Sequence, residues 1–279
     1  SSDSRWIAYS KSLDSHLRAI FIVSPGAADA KPHQVTDGLA DAVSPAFDAS
    51  GKYLYFLAST DYGSRTGWVE MSALDRPVRR SVYLAVLNAA EPSPLLPEAG
   101  DEPAGPASPR TRPDSVMRVD LAGINQRTLS LDIPAADYVS LNAGPAGTVF
   151  YAEPITEGPG RGGMRLQRYQ LKERSATPFL EGIRSFTLSA DRKKLLYSAA
   201  GGRWGVVATD KPAKVGDGPI NVAQVETWVD PHAEWAEIFR EAWRTQRDFF
   251  YDAKMQGADW QAVLAKYTPF VQFVNHRAD

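Results

Sequence analysis

Cysteine is absent from this chain of 279 residues, which excludes disulfides, zinc–thiolate sites and cysteine nucleophiles. An excess of either charge is also absent, because 31 Lys and Arg stand against 33 Asp and Glu, a net charge of −2. Nucleic-acid-binding domains carry a basic excess, so the composition predicts no nucleic-acid partner. No apolar run approaches the roughly 18 residues of a membrane-spanning helix, and we therefore predict no membrane partner.

Residues that form catalytic or metal centres are scarce. The G-x-S-x-G turn that carries the nucleophile of α/β-hydrolases is missing. The Gly-rich stretch 158–163 lies between predicted strands and opens no helix, which favours a hairpin over a phosphate-binding loop. The few histidines have neither metal-ligand spacing nor an HExxH motif, so we predict no metal and no cofactor. They are His16, His33, His232 and His276, and the helix-start position of His232 favours a structural role.

Short segments of alternating apolar residues, separated by Gly, Pro, Asp, Asn and Ser, make up most of the chain and are typical of antiparallel β structure. Four of them share a polar turn followed by a strand that contains an aromatic residue. Blades of four strands repeat at about 40–50 residues in β-propellers. The sequence therefore predicts a mainly β fold with about four blades of a seven-bladed-type propeller; a β-sandwich, the alternative, lacks such a repeat. The aromatic residues are spaced by 47, 95 and 46 residues: Tyr9, Phe56, Tyr151 and Tyr197.

We assign residues 1–228 to the blades, with insertions at 60–81 and 88–115. Seven prolines lie between Pro92 and Pro113, so we expect a long mobile loop there. The first insertion contains Trp68 and Met71, which we expect to order it. Further strands are predicted at 116–121, 127–131 and 221–229. Neither end carries a start or stop signal, so we expect the chain to be cut at both ends, with the missing blades upstream.

The apolar period changes to that of a helix after the last predicted strand. Asp230 suits the N-cap of this helix and Pro231 its first position. Gly257 breaks the pattern, and Asp259 caps a second helix. We assign 229–279 to the start of a helical domain. The first helix has an apolar stripe that predicts packing against a large apolar surface: Trp235, Ile238, Phe239, Ala242, Trp243, Phe249 and Phe250.

Several stretches of the helical part carry a specific combination of residues, namely 229–244, 247–252, 257–260, 267–269 and 275–279. Together they closely resemble the entry to the catalytic region of tricorn proteases and their bacterial homologues. Upstream, 59–63 and 93–98 are similar to the second propeller of that family. The resemblance covers essentially the whole chain.

The resemblance implies a serine peptidase of the S41 class with two propellers, a mixed helical domain, a PDZ-like domain and an α/β domain. It also implies that a serine, a histidine, a second serine and a glutamate cleave peptides through an acyl-enzyme. The family's Ser-His pair follows the motif matched by Arg277-Ala278-Asp279, so no catalytic residue is carried over and we predict that this chain alone is inactive. The implied partners are peptides or unfolded chains, the rest of the same polypeptide and further copies in a homo-oligomer. Bacterial homologues are often exported, which favours a periplasmic or secreted location over a cytoplasmic one.

Arg79 and Arg80 are the substrate-binding candidates. A basic pair that lines a propeller channel can hold the terminal carboxylate of a peptide through charge-assisted hydrogen bonds, and the alternative is a solvated loop. Two rival functions remain open. A non-catalytic propeller of the TolB type would have no surface on which to bury the aromatic helices. A prolyl oligopeptidase propeller would be followed by an α/β-hydrolase pattern rather than by helices.

Overall fold

The structure, a computed structural model, describes residues 1–27, 30–61, 78–96, 117–158, 161–276 and 278–279. Its contacts divide the chain into two compact units, Ser1–Asn221 and Val222–Asp279. The first unit is built from antiparallel strands in three hydrogen-bonded sheets. In chain order, the strands of the first two sheets are β1 (Ile7–Ser12), β2 (Arg18–Val23) and β3 (His33–Gln34), then β4 (Asp41–Phe47), β5 (Tyr53–Ser59), β6 (Ser81–Val86) and β7 (Thr128–Ser130).

The third sheet has seven strands that lie side by side in chain order. They are β8 (Ser140–Ala143), β9 (Thr148–Pro154), β10 (Met164–Gln170), β11 (Ser175–Leu188), β12 (Lys194–Ala199), β13 (Arg203–Ala208) and β14 (Pro219–Ile220).

One long strand, β11, serves two blades. Its first half pairs with β10 and its second half, from Ile183 onward, pairs with β12. Gly182 separates the halves with a φ of 80°, a conformation that glycine adopts without steric cost. The described residues of this unit therefore form four blades: blade 1 (β1–β3), blade 2 (β4–β7), blade 3 (β8 to the first half of β11) and blade 4 (the second half of β11 to β14). The predicted mainly β fold of propeller blades followed by helices is confirmed.

Apolar side chains pack between successive blades. Strand β5 is a continuous apolar run because both of its faces are buried. Neighbouring side chains of a strand point to opposite faces of the sheet. Leu54 and Phe56 enter the core that blade 2 shares with blade 1, whereas Tyr55 and Leu57 enter the core shared with blade 3. A third core joins blades 3 and 4 around Phe150, Phe179, Leu195 and Tyr197.

Two predicted strands are wrong in the described part of the chain. Residues 117–121 form no strand, although Met117 is buried and its N–H donates to the Asp3 carboxylate. Residues 221–229 form no strand either. Apolar alternation alone builds no strand where a partner is missing, and Val225 and Trp228 are 76% and 102% exposed. The predicted strand at 127–131 is present as β7.

The predicted insertions fall partly outside the described residues. This applies to the ordering role of Trp68 and Met71 and to the proline-rich segment beyond Leu96. At the edges of the insertions, β6 begins at Ser81, and residues 88–96 form turns. The Gly-rich stretch connects β9 to β10, as expected for a hairpin.

The second unit contains α1 (Pro231–Phe249), α2 (Trp260–Tyr267) and a 3₁₀ segment, Thr268–Phe273. Asp230 caps α1 by accepting from the backbone N–H groups of His232 and Ala233, and Asp259 caps α2, as predicted. Trp243 and Trp260 join the helices reciprocally, since each indole N–H donates to the backbone carbonyl of the other at 2.9 and 3.1 Å. No helix in the described ranges is long and apolar enough to cross a membrane.

Candidate functional site

A cluster of charged residues lies where blades 1, 2 and 3 meet, and it includes one of the predicted substrate-binding residues. β4 and β6 are the first and third strands of an antiparallel blade, so they run in the same direction and begin at the same edge. Asp41 opens β4, and Arg80 directly precedes β6. Arg18 opens β2 in blade 1, and Tyr138 lies shortly before β8 in blade 3.

Asp41 is the centre of this cluster, and its side chain is fully buried. Its carboxylate accepts the Arg18 backbone N–H at 3.0 Å, Nε at 2.8 Å and Nη2 at 2.6 Å. Burial alone would raise the pKa of Asp41, but the hydrogen bonds and charge of Arg18 outweigh burial, and the charge of Arg80 acts in the same direction. The pKa of Asp41 therefore lies below its usual value, and the carboxylate stays ionised.

The two predicted arginines have different environments. Arg80 is 7% exposed, and its Nη1 donates to the carbonyl of Tyr138 at 3.1 Å and lies 3.8 Å from Oδ1 of Asp137. Its backbone exchanges two hydrogen bonds with Ala136, which fixes blade 2 to the chain entering blade 3. Arg79 is exposed. Of the pair, the side chain placed to meet a ligand from solvent is that of Arg79, whereas that of Arg80 contacts the protein.

The contacts within this charged cluster could not be predicted from the sequence. Asp41 lies 23 residues from Arg18, and Tyr138 lies 58 residues from Arg80. No motif links residues at such separations, and only the register of neighbouring strands brings them together. A weak signal was available, because Arg18 and Asp41 are charged residues at the first position of apolar strands.

The second unit carries an open apolar groove of about 340 Å³. One wall is the first part of the apolar stripe of α1, and the other is formed by α2 and the residues after it. Asp279 contributes a charged group at this groove. The predicted stripe thus lines the groove from Trp235 to Ala242, whereas Phe249 lies outside the lining and is 83% exposed. The apolar lining residues are Trp235, Ile238, Phe239, Ala242, Tyr267, Phe270, Val271 and Val274.

The histidines form no shared centre in the described ranges, where no three His, Cys, Asp or Glu side chains are placed to hold a metal ion. His16 occupies the hairpin turn between β1 and β2, and His33 lies in β3. His232 packs edge-on against Trp235, with ring centroids 5.1 Å apart. His276 accepts the backbone N–H of Ala278 at its Nδ1.

Comparison with known proteins shows what the two units are similar to. Residues 231–279 match the family model of the tricorn protease C1 domain. The match begins at the first residue of α1, so the helical unit is similar to the C1 domain of tricorn proteases.

Whole-chain similarity leads to the same group. The chain is 28% identical over 299 residues to tricorn protease homolog 1 of Streptomyces coelicolor, an alignment that covers 98% of this chain and 27% of the relative. It is 24% identical over 284 residues to the tricorn protease homolog of Saccharolobus solfataricus, covering 99% of this chain and 25% of the relative. The crystal structure of the tricorn protease superimposes with a TM-score of 0.69 at 20% identity, covering 98% of this chain and 26% of that one. The chain is therefore similar to one part of the tricorn proteases, and it spans about a quarter of the length of these relatives.

Proposed function

We propose that this chain is the propeller and first helical region of a tricorn-type serine peptidase that degrades peptides. The observation that carries the proposal is the combination, in one chain, of blades that align with tricorn homologues and a C1-type helical unit. The catalytic residues lie after residue 279 in this proposal, and the 279-residue chain by itself is inactive. The domain boundary is placed at 228/229, with insertions at 60–81 and 88–115.

The propeller's role in this proposal is to select the peptides that reach the catalytic centre. Arg79 contributes an exposed guanidinium next to the charged cluster at the start of β4 and β6. A guanidinium holds a carboxylate through two parallel N–H···O bonds, so Arg79 binds the C-terminal carboxylate of a peptide. Arg80 and Asp41 keep the three neighbouring blades in register.

The helical unit's role is to connect the blades to the catalytic domains. Its groove exposes aromatic surface, including Tyr267 at 47% and Phe270 at 63%. Soluble proteins rarely leave so much contiguous apolar surface in water. The groove is therefore buried by the rest of the same polypeptide, namely the PDZ-like and α/β domains of the peptidase. Assembly into a homo-oligomer and a periplasmic or secreted location belong to the same proposal.

Fluorogenic peptide hydrolysis by two purified proteins tests the proposal: the 279-residue chain and the complete product of its reading frame. We expect hydrolysis by the complete protein and covalent labelling of its serine by a fluorophosphonate probe. We expect neither reaction with the 279-residue chain. Cleavage by the pure 279-residue chain, or a complete protein without a labelled serine, would contradict the proposal.

A peptide whose C-terminal carboxylate is amidated separates the role of Arg79 from general peptide binding. In the complete protein, Arg79→Ala is expected to raise KM for free-carboxylate peptides about tenfold, because a charge-assisted hydrogen bond contributes roughly 1.5–3 kcal/mol. The KM of amidated peptides should not change. Arg203→Ala, at an exposed arginine of blade 4, is the matched control.

A further inference from the structure

A small cleft opens between blades 1 and 2, distinct from the charged cluster and from the helical groove. Its volume is about 170 Å³, well below the roughly 300–1,000 Å³ of pockets that hold whole drug-sized ligands. Such a volume suits one side chain. The residues that line the cleft come from the connection between the blades and from the face of blade 2 that is turned toward blade 1.

The floor of the cleft is aromatic and apolar. Phe56 on β5 and Tyr83 on β6 are cross-strand partners, and their rings stack with centroids 5.7 Å apart and an interplanar angle of 14°. Phe56 is 1% exposed and Tyr83 is half-buried. Ala42 and Ala58 pair across β4 and β5 and leave room above the rings because their side chains are short. This floor accepts an aliphatic stem or the face of a cation.

The rim of the cleft offers hydrogen-bond acceptors and one negative charge. Asp37 is exposed, its Oδ1 accepts the N–H of Leu39 at 3.0 Å, and within the described ranges it forms no ion pair. Thr128 also lines the cleft, but its hydroxyl is buried from solvent and is not reached from the cleft. Asn125 adds an amide to the rim.

We infer that this cleft binds the cationic side chain of a lysine or arginine in a peptide, a conclusion that rests on the proposed peptide-binding function. A lysine ammonium has three N–H donors and no acceptor, which complements the exposed Asp37 carboxylate at the rim. Its methylene stem lies on the half-buried Tyr83 ring, whose face also attracts the positive charge. The propeller thereby favours peptides that carry a basic residue inside the chain.

Two capped pentapeptides test this inference on the 279-residue chain. They are acetyl-Ala-Ala-Lys-Ala-Ala-amide and its norleucine analogue, which has an uncharged stem of similar length. Both lack a free carboxylate, so neither engages a carboxylate-binding arginine. Methyl NMR of Ala42, Ala58 and Thr128 reports binding at the cleft itself. We expect the lysine peptide to bind at least fivefold more tightly and to shift these methyl signals.

Variants of the rim decide between the cleft and general attraction by an acidic surface. Asp37→Asn should abolish the preference for lysine over norleucine, whereas Asp14→Asn, at an exposed aspartate of the β1–β2 turn, should retain it. Equal affinity for the two peptides, or a preference that survives Asp37→Asn, would overturn the inference. Peptide cleavage by the complete protein is a separate assay. Peptidase activity without a preference for lysine would refute the inference about this cleft and leave the proposed peptidase function standing.

Discussion

Asp41 is a buried negative charge whose position depends on the neighbouring blade. A buried carboxylate is tolerated only when hydrogen bonds and a counter-charge replace the water it has lost. Arg18 supplies both, through its backbone and both ends of its guanidinium. Because Arg18 belongs to blade 1 and Asp41 to blade 2, this pair fixes how the two blades dock.

Replacement of this carboxylate should therefore destabilise the propeller unit. We expect Asp41→Asn to lower the free energy of unfolding by about 2 kcal/mol, below the roughly 3–5 kcal/mol of fully buried pairs because Arg18 is 38% exposed and can be rehydrated. Urea unfolding followed by circular dichroism measures the loss. Asp14→Asn, at an exposed residue, is the control and should leave the midpoint unchanged. Equal stability of the two variants would show that the pair contributes nothing.

Strand β11 shows how one element can serve two blades without a loop between them. Its halves pair with different neighbours, and the register shifts between Ile183 and Ser185. Gly182 lies at the junction with a φ of 80°, and a Cβ placed there would meet nothing within 4 Å. The requirement for glycine at this position is therefore one of backbone conformation, not of space.

Gly182→Ala should destabilise the propeller unit through this conformation alone. A left-handed conformation costs an L-residue other than glycine roughly 1–2 kcal/mol, so we expect a loss of about 1 kcal/mol in urea unfolding. Gly26→Ala is the matched control, because a Cβ at Gly26 also meets nothing within 4 Å and its φ is not positive. That variant should be neutral or slightly stabilising. If both variants unfold at the wild-type midpoint, the conformational requirement at Gly182 is refuted.

At the scale of the whole molecule, the core between blades 2 and 3 is rich in tyrosine. Tyr55, Tyr138, Tyr151 and Tyr169 are all buried there. Burial is the main cause that raises the pKa of each of them, and neighbouring carboxylates such as Asp48 and Glu153 add to the effect at Tyr55, Tyr138 and Tyr151. The packing of the blades therefore depends on these hydroxyls remaining neutral.

Alkaline pH should consequently loosen the propeller unit. Burial raises the pKa of Tyr138 to about 12, and burial with the charge of Glu91 raises that of Tyr53 to about 12, against roughly 10 in an unfolded chain. As the pH rises, these tyrosine hydroxyls therefore lose their protons at a higher pH in the folded state than in the unfolded state. Their stabilising contribution is complete below pH 10 and is lost as the pH rises from 10 through 12.

Absorbance at 295 nm, which reports tyrosinate, and urea midpoints measured across this range check the expectation. Tyr138→Phe should flatten the loss of stability above pH 10. If all tyrosines ionise near pH 10 while the protein is still folded, the expected link between tyrosine ionisation and stability is wrong.

The sequence by itself determined the features that depend on local physics. Helix caps at Asp230 and Asp259 act within a single turn, and apolar alternation acts between adjacent residues, so the helices and most strands of the four blades could be predicted. Alternation failed at 221–229, because a strand also needs a partner and a core. The tertiary structure alone decided which of Arg79 and Arg80 is exposed, how Asp41 meets Arg18, and that Phe56, Tyr83 and Thr128 line one cleft. The physical reason is that these contacts join residues far apart in the chain, and their distances are set by the register of strands and the docking of blades, neither of which a local pattern specifies.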